Sequence, residues 1–185
     1  MIGKTSLRIL LEGGIAVSLA LLFSAFKIFQ LPMGGEISLK SLPLIVYALR
    51  WGLKAGVLAG LTFGLCHFIQ VPIMVHPVQF LLDYPLAGMA LGCSGLLRGQ
   101  KGKTGVWLGI LLGQGLRFGC HFLSGLIFIK SFLPAAPDRV NLLGLKLAFT
   151  PAWYSLAYNL SYSLPETILC LLLLPPILKA LRRGE

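Results

Sequence analysis

The chain has 185 residues, of which 56% are hydrophobic and only 12% charged, with a formal net charge of +10. An ordinary soluble domain carries about 25% charged residues, and a mean hydropathy of +0.84 excludes that class. The composition describes a membrane protein with little chain outside the lipid.

A spanning helix needs about 20 mostly apolar residues. Turn and charge punctuation divides the chain into six candidate segments: 9–26, a short second at 37–49, then 53–71, 77–97, 104–129 and 153–178. The runs are continuously apolar rather than alternating, which argues against a membrane β-barrel. The expected fold is an all-α integral membrane protein, a six-transmembrane-helix bundle in one domain over residues 1–185. The second segment is too short to span comfortably and is expected to be tilted or broken.

The positive charge is distributed by side. Lys4 and Arg8 precede the first helix, Arg50 and Lys54 join the second to the third, and Arg98, Lys101 and Lys103 join the fourth to the fifth. Lys179, Arg182 and Arg183 follow the sixth. All these groups fall on one side of a six-helix chain. The other side holds Lys27, Lys40, Lys130, Arg139 and Lys146, offset in part by Glu36 and Asp138. The basic excess marks the cytoplasmic side, so both termini are expected there. Membrane orientation explains the charge better than a nucleic-acid partner does. The first apolar run also resembles a signal peptide, but Glu12, Gly13 and Gly14 interrupt it and no small-x-small cleavage site follows. A retained first helix is expected.

Small residues recur every four positions: Ala16 and Ala20 in the first helix, Gly56, Gly60 and Gly64 in the third, Gly88 and Gly92 in the fourth, Gly105, Gly109 and Gly113 in the fifth. Such stripes let backbones approach closely where lipid offers no hydrophobic drive to association. Internal packing explains the later helices; Ala16 and Ala20 fit either packing or a docking face for another protein. Cys66, Cys93, Cys120 and Cys170 sit in apolar segments without a Cys-x-x-Cys pair, as buried free thiols do. The longer connections (30–36, 72–77 and 130–151) share the non-cytoplasmic side, so an outward-opening cavity capped by loops is expected.

Ionisable groups inside a bilayer are expensive, roughly 2.5–3.5 kcal/mol each on insertion scales, and mark functional sites. Arg117, His121 and Gly125 stand at i, i+4 and i+8 on one face of the fifth helix, with Phe128 beside them. Each polar residue alone reads as a snorkelling arginine or a satisfied interior histidine; together on one face they read as a site, with Gly125 leaving room for a flat ligand beside the imidazole. Asp83 lies early in the fourth helix, placed to pair with Arg117 or to receive a donor-rich or cationic ligand. Glu166, the second intramembrane acid, shares a face with Tyr162, Asn159 and Ser155 and stays unassigned. Trp153 and Tyr154 open the sixth helix as an interfacial belt or as a stacking wall beside Asn159. Tyr154 and Asn159 are about 140° apart on an ideal helix, so both reach one ligand only if the helix start is frayed. No Gly-x-Ser-x-Gly, phosphate loop, zinc pair or paired catalytic carboxylates appears, so no metal or cofactor is expected. An enzyme using His121 with Asp83 or Glu166 is the weaker alternative to binding.

Five motifs then carry a resemblance in order along nearly the whole chain: Pro32-Met33-Gly34-Gly35; Arg50-Trp51-Gly52-Leu53-Lys54-Ala55-Gly56; His76-Pro77-Val78-Gln79 with Leu82-Asp83-Tyr84; Leu116-Arg117-Phe118 with His121 and Ser124-Gly125; and Tyr154-Ser155-Leu156-Ala157-Tyr158-Asn159. The chain resembles the energy-coupling-factor thiamine transporter family. The resemblance implies a six-helix, multi-pass cell-membrane subunit that captures thiamine from outside and is not itself an enzyme. It implies partners as well: a transmembrane coupling protein and two cytoplasmic ATPases, docked through the Ala16 and Ala20 stripe. It gives Asp83, one carbon shorter than a family Glu, the aminopyrimidine, and His121 the stacking role. Arg117 stands where a basic residue is found; Tyr84, Gly125, Tyr154 and Asn159 match pocket positions. Some members have tryptophans near Ile129 and in the first loop, where this chain has Met33-Gly34-Gly35; Trp153 is the candidate replacement. A different heteroaromatic vitamin or precursor on the same architecture is the nearest alternative.

Overall fold

The computed structural model describes residues 4–100, 102–132, 139–142, 145–148 and 150–183. In chain order these form α1 (Lys4–Ala25), β1 (Phe29–Gln30), β2 (Glu36–Ile37), α2 (Ser41–Trp51), α3 (Leu53–Gln70), α4 (Pro77–Leu97), α5 (Gly102–Phe132), β3 (Arg139–Leu142), β4 (Leu145–Ala148) and α6 (Pro151–Arg183). All except α2 among the six helices are long and apolar enough to cross a membrane. With 11 residues, α2 is about 16 Å long. It starts later than the sequence predicts because Phe29–Gln30 and Glu36–Ile37 pair as an antiparallel ribbon just before it. The expected all-helical chain therefore carries two short hairpins. The second, β3 with β4, occupies part of the long 130–151 connection; Pro134, Pro137 and Asp138 of that connection lie outside the described residues, as does Lys101.

Glu12-Gly13-Gly14 does not break α1, which runs through it. The reason is a set of partners for the acid. Glu12 Oε2 accepts from Trp51 Nε1 at 2.7 Å and faces Arg50 Nε at 3.2 Å, while Oε1 accepts from Arg8 Nε at 2.9 Å. One carboxylate thus ties α1 to the end of α2.

The helix α4 is irregular where it matters. Pro77 opens it, with the His76 imidazole accepting from Val78 N at 3.1 Å as a cap. Pro85 has no N–H to donate, and the chain makes a π turn over Leu82–Leu86. Such turns reorient side chains locally and recur at functional sites; this one holds Asp83 and Tyr84. Against α4 runs α3 at very close range: a Cβ on Gly60 would strike the backbone carbonyl of Gly88, and one on Gly88 the carbonyl of Gly60. The glycine stripe is packing surface, as the spacing predicts.

Helix α2 is enclosed by the others. Leu44, Ile45 and Tyr47 are buried and belong to one core with Val17 of α1, Phe63 of α3, Leu91 of α4, Ile110 of α5 and Leu174 of α6. Ala16 and Ala20 sit in the same core at 7% and 0% exposure. That corrects the docking expectation for these two residues: the stripe they form packs inward. The outward face of α1 carries Leu11, Gly14, Ile15, Ser18, Leu19 and Leu22 instead. The four cysteines are free, Cys170 buried and the others half-buried.

Candidate functional site

A cavity lies between the β1–β2 ribbon, α3, the π turn of α4, α5 and α6. Among its lining residues are Glu36, Lys40, His67, Gln79, Asp83, Tyr84, Arg117, His121, Gly125, Tyr158, Asn159 and Tyr162. The space open to the centre of a water molecule is about 110 Å³, several times the roughly 10–15 Å³ that one water needs. Polar groups converge in it from every wall, the pattern expected of a ligand site.

Asp83 is the centre of one cluster. Its Oδ2 accepts from Gln79 Nε2 at 2.6 Å and from Ser124 Oγ at 2.8 Å, and its Oδ1 lies 3.0 Å from His121 Nδ1. The spacing of the sequence builds this geometry. Gln79 is one turn before Asp83 on α4, and His121 and Ser124 are one turn apart on α5. Asp83 has no Lys or Arg within ion-pair distance among the described residues.

Arg117 is occupied elsewhere. Its Nη1 donates to Glu166 Oε1 at 3.0 Å and to Ser41 Oγ at 2.8 Å, and Ser41 Oγ in turn donates to the same oxygen at 2.5 Å. Glu166 is 1% exposed. The expected alternative of an Arg117–Asp83 pair is not formed; Glu166, left unassigned by the sequence, is the partner. Breaking such a buried pair typically costs about 3–5 kcal/mol, because the remaining charge is stranded.

A third cluster gathers around Glu36 on β2. Lys40 Nζ bonds its Oε1, Lys27 Nζ lies 3.3 Å from its Oε2, and Ser24 Oγ donates to it at 3.2 Å. Burial alone would raise the Glu36 carboxyl, but Lys40, with His67 and Lys27, outweighs burial and holds it below the usual value. His67 joins the group through Ser24 Oγ, 3.1 Å from its Nδ1, and stacks on Phe63.

The remaining expectations divide. Tyr84 lines the cavity and its hydroxyl donates to Val71 O at 2.5 Å, pinning the α3–α4 connection. Asn159 lines it too, but both ends of its amide are used: Nδ2 donates to Ser155 O at 2.8 Å and Oδ1 accepts from Tyr162 Oη at 2.5 Å. Gly125 lines the cavity beside His121 and has a packing role as well. A Cβ there would strike the Ser155 hydroxyl, so the glycine admits α6 against α5. Tyr154 stacks on Tyr158 with centroids 6.1 Å apart and does not line the cavity, in keeping with its angle from Asn159. Trp153 is 69% exposed and is not among the residues that line the cavity, which corrects its assignment as the replacement stacking surface. Tyr158 takes that wall instead. Its hydroxyl donates to Pro32 O and accepts from Gly35 N at 2.8 Å, fastening the Met33-Gly34-Gly35 turn over the cavity.

Sequence reading missed Glu36, Lys40, His67, Gln79, Ser124, Tyr158 and Tyr162 as members of the site. Signals were present for some. Glu36 and Lys40 are an acid and a base four apart at the head of a buried helix, and Gln79 and Ser124 stand one turn from the predicted polar residues.

With this geometry in hand, the likeness to known proteins can be placed. The sequence profile of the thiamine transporter protein family (Thia_YuaJ) matches residues 10–184. The chain belongs to that family. The thiamine transporter ThiT of Bacillus subtilis is 35% identical over a stretch covering 78% of this chain and 76% of that protein. A second, from Lacticaseibacillus paracasei, is 26% identical over 77% and 73%. Among solved structures, ThiT from Listeria monocytogenes matches with a TM-score of 0.80 at 24% identity, over 96% of both chains. That match establishes the shared fold. The chain is thus a helical membrane protein of a transporter family.

Proposed function

We propose that this chain binds thiamine in the described cavity and delivers it as the substrate-binding component of an energy-coupling-factor importer. It acts as a carrier subunit in the cell membrane rather than as an enzyme, and residues 1–185 work as one domain. The observation that carries the reading is the company of Asp83: a cavity-lining carboxylate with neutral donors around it and no cationic partner among the described residues. Glu36 and Glu166 are already neutralised by Lys40 and Arg117. One negative charge therefore remains for a ligand. Thiamine is a cation whose aminopyrimidine offers N–H donors to the Asp83–His121 pair. Its thiazolium suits the aromatic walls of Tyr84, Tyr158 and Tyr162, each such contact being worth about 0.5–2 kcal/mol.

Six passes with both termini cytoplasmic agree with the charge pattern. Arg50 with Lys54, and Arg98 with Lys103, then share one side. The coupling protein would meet α1 on its outward face, where Gly14 and Ser18, four apart and exposed, let a partner helix approach closely. Two cytoplasmic ATPases supply the energy.

Calorimetric titration of the purified protein with thiamine tests the reading. A saturable heat with one site per chain is expected. Absence of saturable binding by calorimetry and by ligand-induced thermal stabilisation overturns it.

A further inference from the structure

Gln79 is 1% exposed in a helix that crosses the bilayer, and every polar atom of its amide is used. Its Oε1 accepts from Val75 N at 3.1 Å, and its Nε2 donates to Asp83 Oδ2 at 2.6 Å and to Ile73 O at 3.4 Å. The Val75 N–H can only donate, so it fixes which end of the amide faces the carboxylate. Ser124 Oγ donates to the same oxygen. With Oδ2 held from two sides, the Asp83 carboxylate has one orientation, and its Oδ1 is delivered to His121 Nδ1 at 3.0 Å.

A carboxylate only accepts, so the shared proton belongs to His121 Nδ1. The other ring nitrogen, Nε2, is buried and has no hydrogen-bond partner among the described residues. A proton there would bury an N–H without an acceptor among the described residues, which is expensive. The imidazole is therefore the neutral Nδ1–H form, with a bare lone pair on Nε2 of a residue that lines the cavity.

We propose that Gln79 is a positioning residue of the site. Acting with Ser124 through Asp83, it sets the His121 tautomer so that Nε2 is an obligatory acceptor, and the site selects a heteroaromatic ligand carrying an amino N–H over one carrying a carbonyl oxygen at the same place. Asp83 holds the histidine in this form, and its negative charge strengthens the acceptor. The selectivity claim rests on the thiamine reading, but the tautomer does not. Gln79 also anchors residues 73–75, so the segment leading into α4 and the polarity of the binding atom are set by one side chain.

The experiment is nitrogen NMR of the ligand-free full chain labelled with ¹⁵N-histidine, with the His121 signal assigned by its loss in His121→Asn. The wild type is expected to show Nδ1 protonated and Nε2 bare. In Gln79→Leu, and to a lesser degree in Ser124→Ala, the two tautomers should mix. Titration with thiamine and with its 4-oxo analogue completes the test. The wild type is expected to prefer the amino compound by about 100-fold, and losing a bond to a charged group should lower thiamine affinity about tenfold and narrow that preference. His121 protonated at Nε2 in the wild type overturns the proposal. So do an unchanged tautomer and an unchanged amino-over-oxo preference in the variants; if Gln79→Leu does not fold, Ser124→Ala alone decides. The expected tautomer without thiamine binding would overturn the thiamine reading and leave the positioning role standing.

Discussion

Asp83 and Glu166 are both intramembrane carboxylates near one cavity, and their surroundings differ in kind. Glu166 is buried and does not line the cavity, with Arg117 and Ser41 on the same oxygen. Asp83 lies on the cavity wall among an amide, a hydroxyl and an imidazole. A charge that is matched inside the protein holds helices together. A charge that is only solvated by neutral donors leaves its Coulomb attraction available to a visitor. The difference separates architecture from recognition among residues that look alike in the sequence.

The largest effect should come from breaking the matched pair. Arg117→Ala should destabilise the protein by about 3–5 kcal/mol, because Glu166 is left buried without its partner. Denaturant unfolding in detergent measures it, and the double replacement of Arg117 and Glu166 by leucine should recover much of the loss. If Arg117→Ala instead spares stability and removes only thiamine binding, the two sides of the comparison have been assigned the wrong way round.

An intermediate effect tests the Glu36 cluster, matched like Glu166 but outside the spanning helices. Its folded pKa is depressed by Lys40, His67 and Lys27 against the opposing effect of burial. A depressed carboxyl stabilises the fold above its unfolded value, near 4.5, and that stability is lost as pH falls through the folded value. Melting temperature should therefore drop on acidification below about pH 4.5, and Glu36→Gln should flatten that limb while lowering the plateau at neutral pH. An unchanged acid limb in Glu36→Gln would remove this cluster from the matched class.

The smallest effect is expected at Trp153. It is exposed and off the cavity, so Trp153→Phe should change thiamine affinity by less than about twofold, within the ±0.5 kcal/mol usual for surface substitutions. Isothermal titration reads this directly; a tenfold loss would return the aromatic residues at the head of α6 to the site.

Much of this was legible before the structure. Bilayer length, glycine stripes and the cost of buried charge were enough to place the long helices, the α3–α4 contact and the polar face of α5. The ordered motifs pointed to the family. What escaped has physical reasons. Helical phase places Ala16 and Ala20 on one stripe but cannot tell which side of α1 faces the core. Glu12 gave no sign of its role because Trp51 and Arg50, its partners, are distant in sequence. Arg117 found Glu166 rather than Asp83 because the choice depends on how deep each side chain sits, a quantity set by packing. Trp153 was drawn in by its chemistry, although it stands two residues before the cavity-lining Ser155, about 200° away around α6. Gln79 carried no signal of its own beyond standing one turn before an acid.

The most direct test is a side-by-side calorimetric titration of the wild type and Asp83→Asn with thiamine. Removing this carboxylate charge, unmatched among the described residues, should weaken binding by roughly 10- to 100-fold, the equivalent of about 1.5–3 kcal/mol for a hydrogen bond to a charged group, with the fold intact. Equal affinity in the two proteins would contradict the assignment of Asp83 as the charge that receives the ligand.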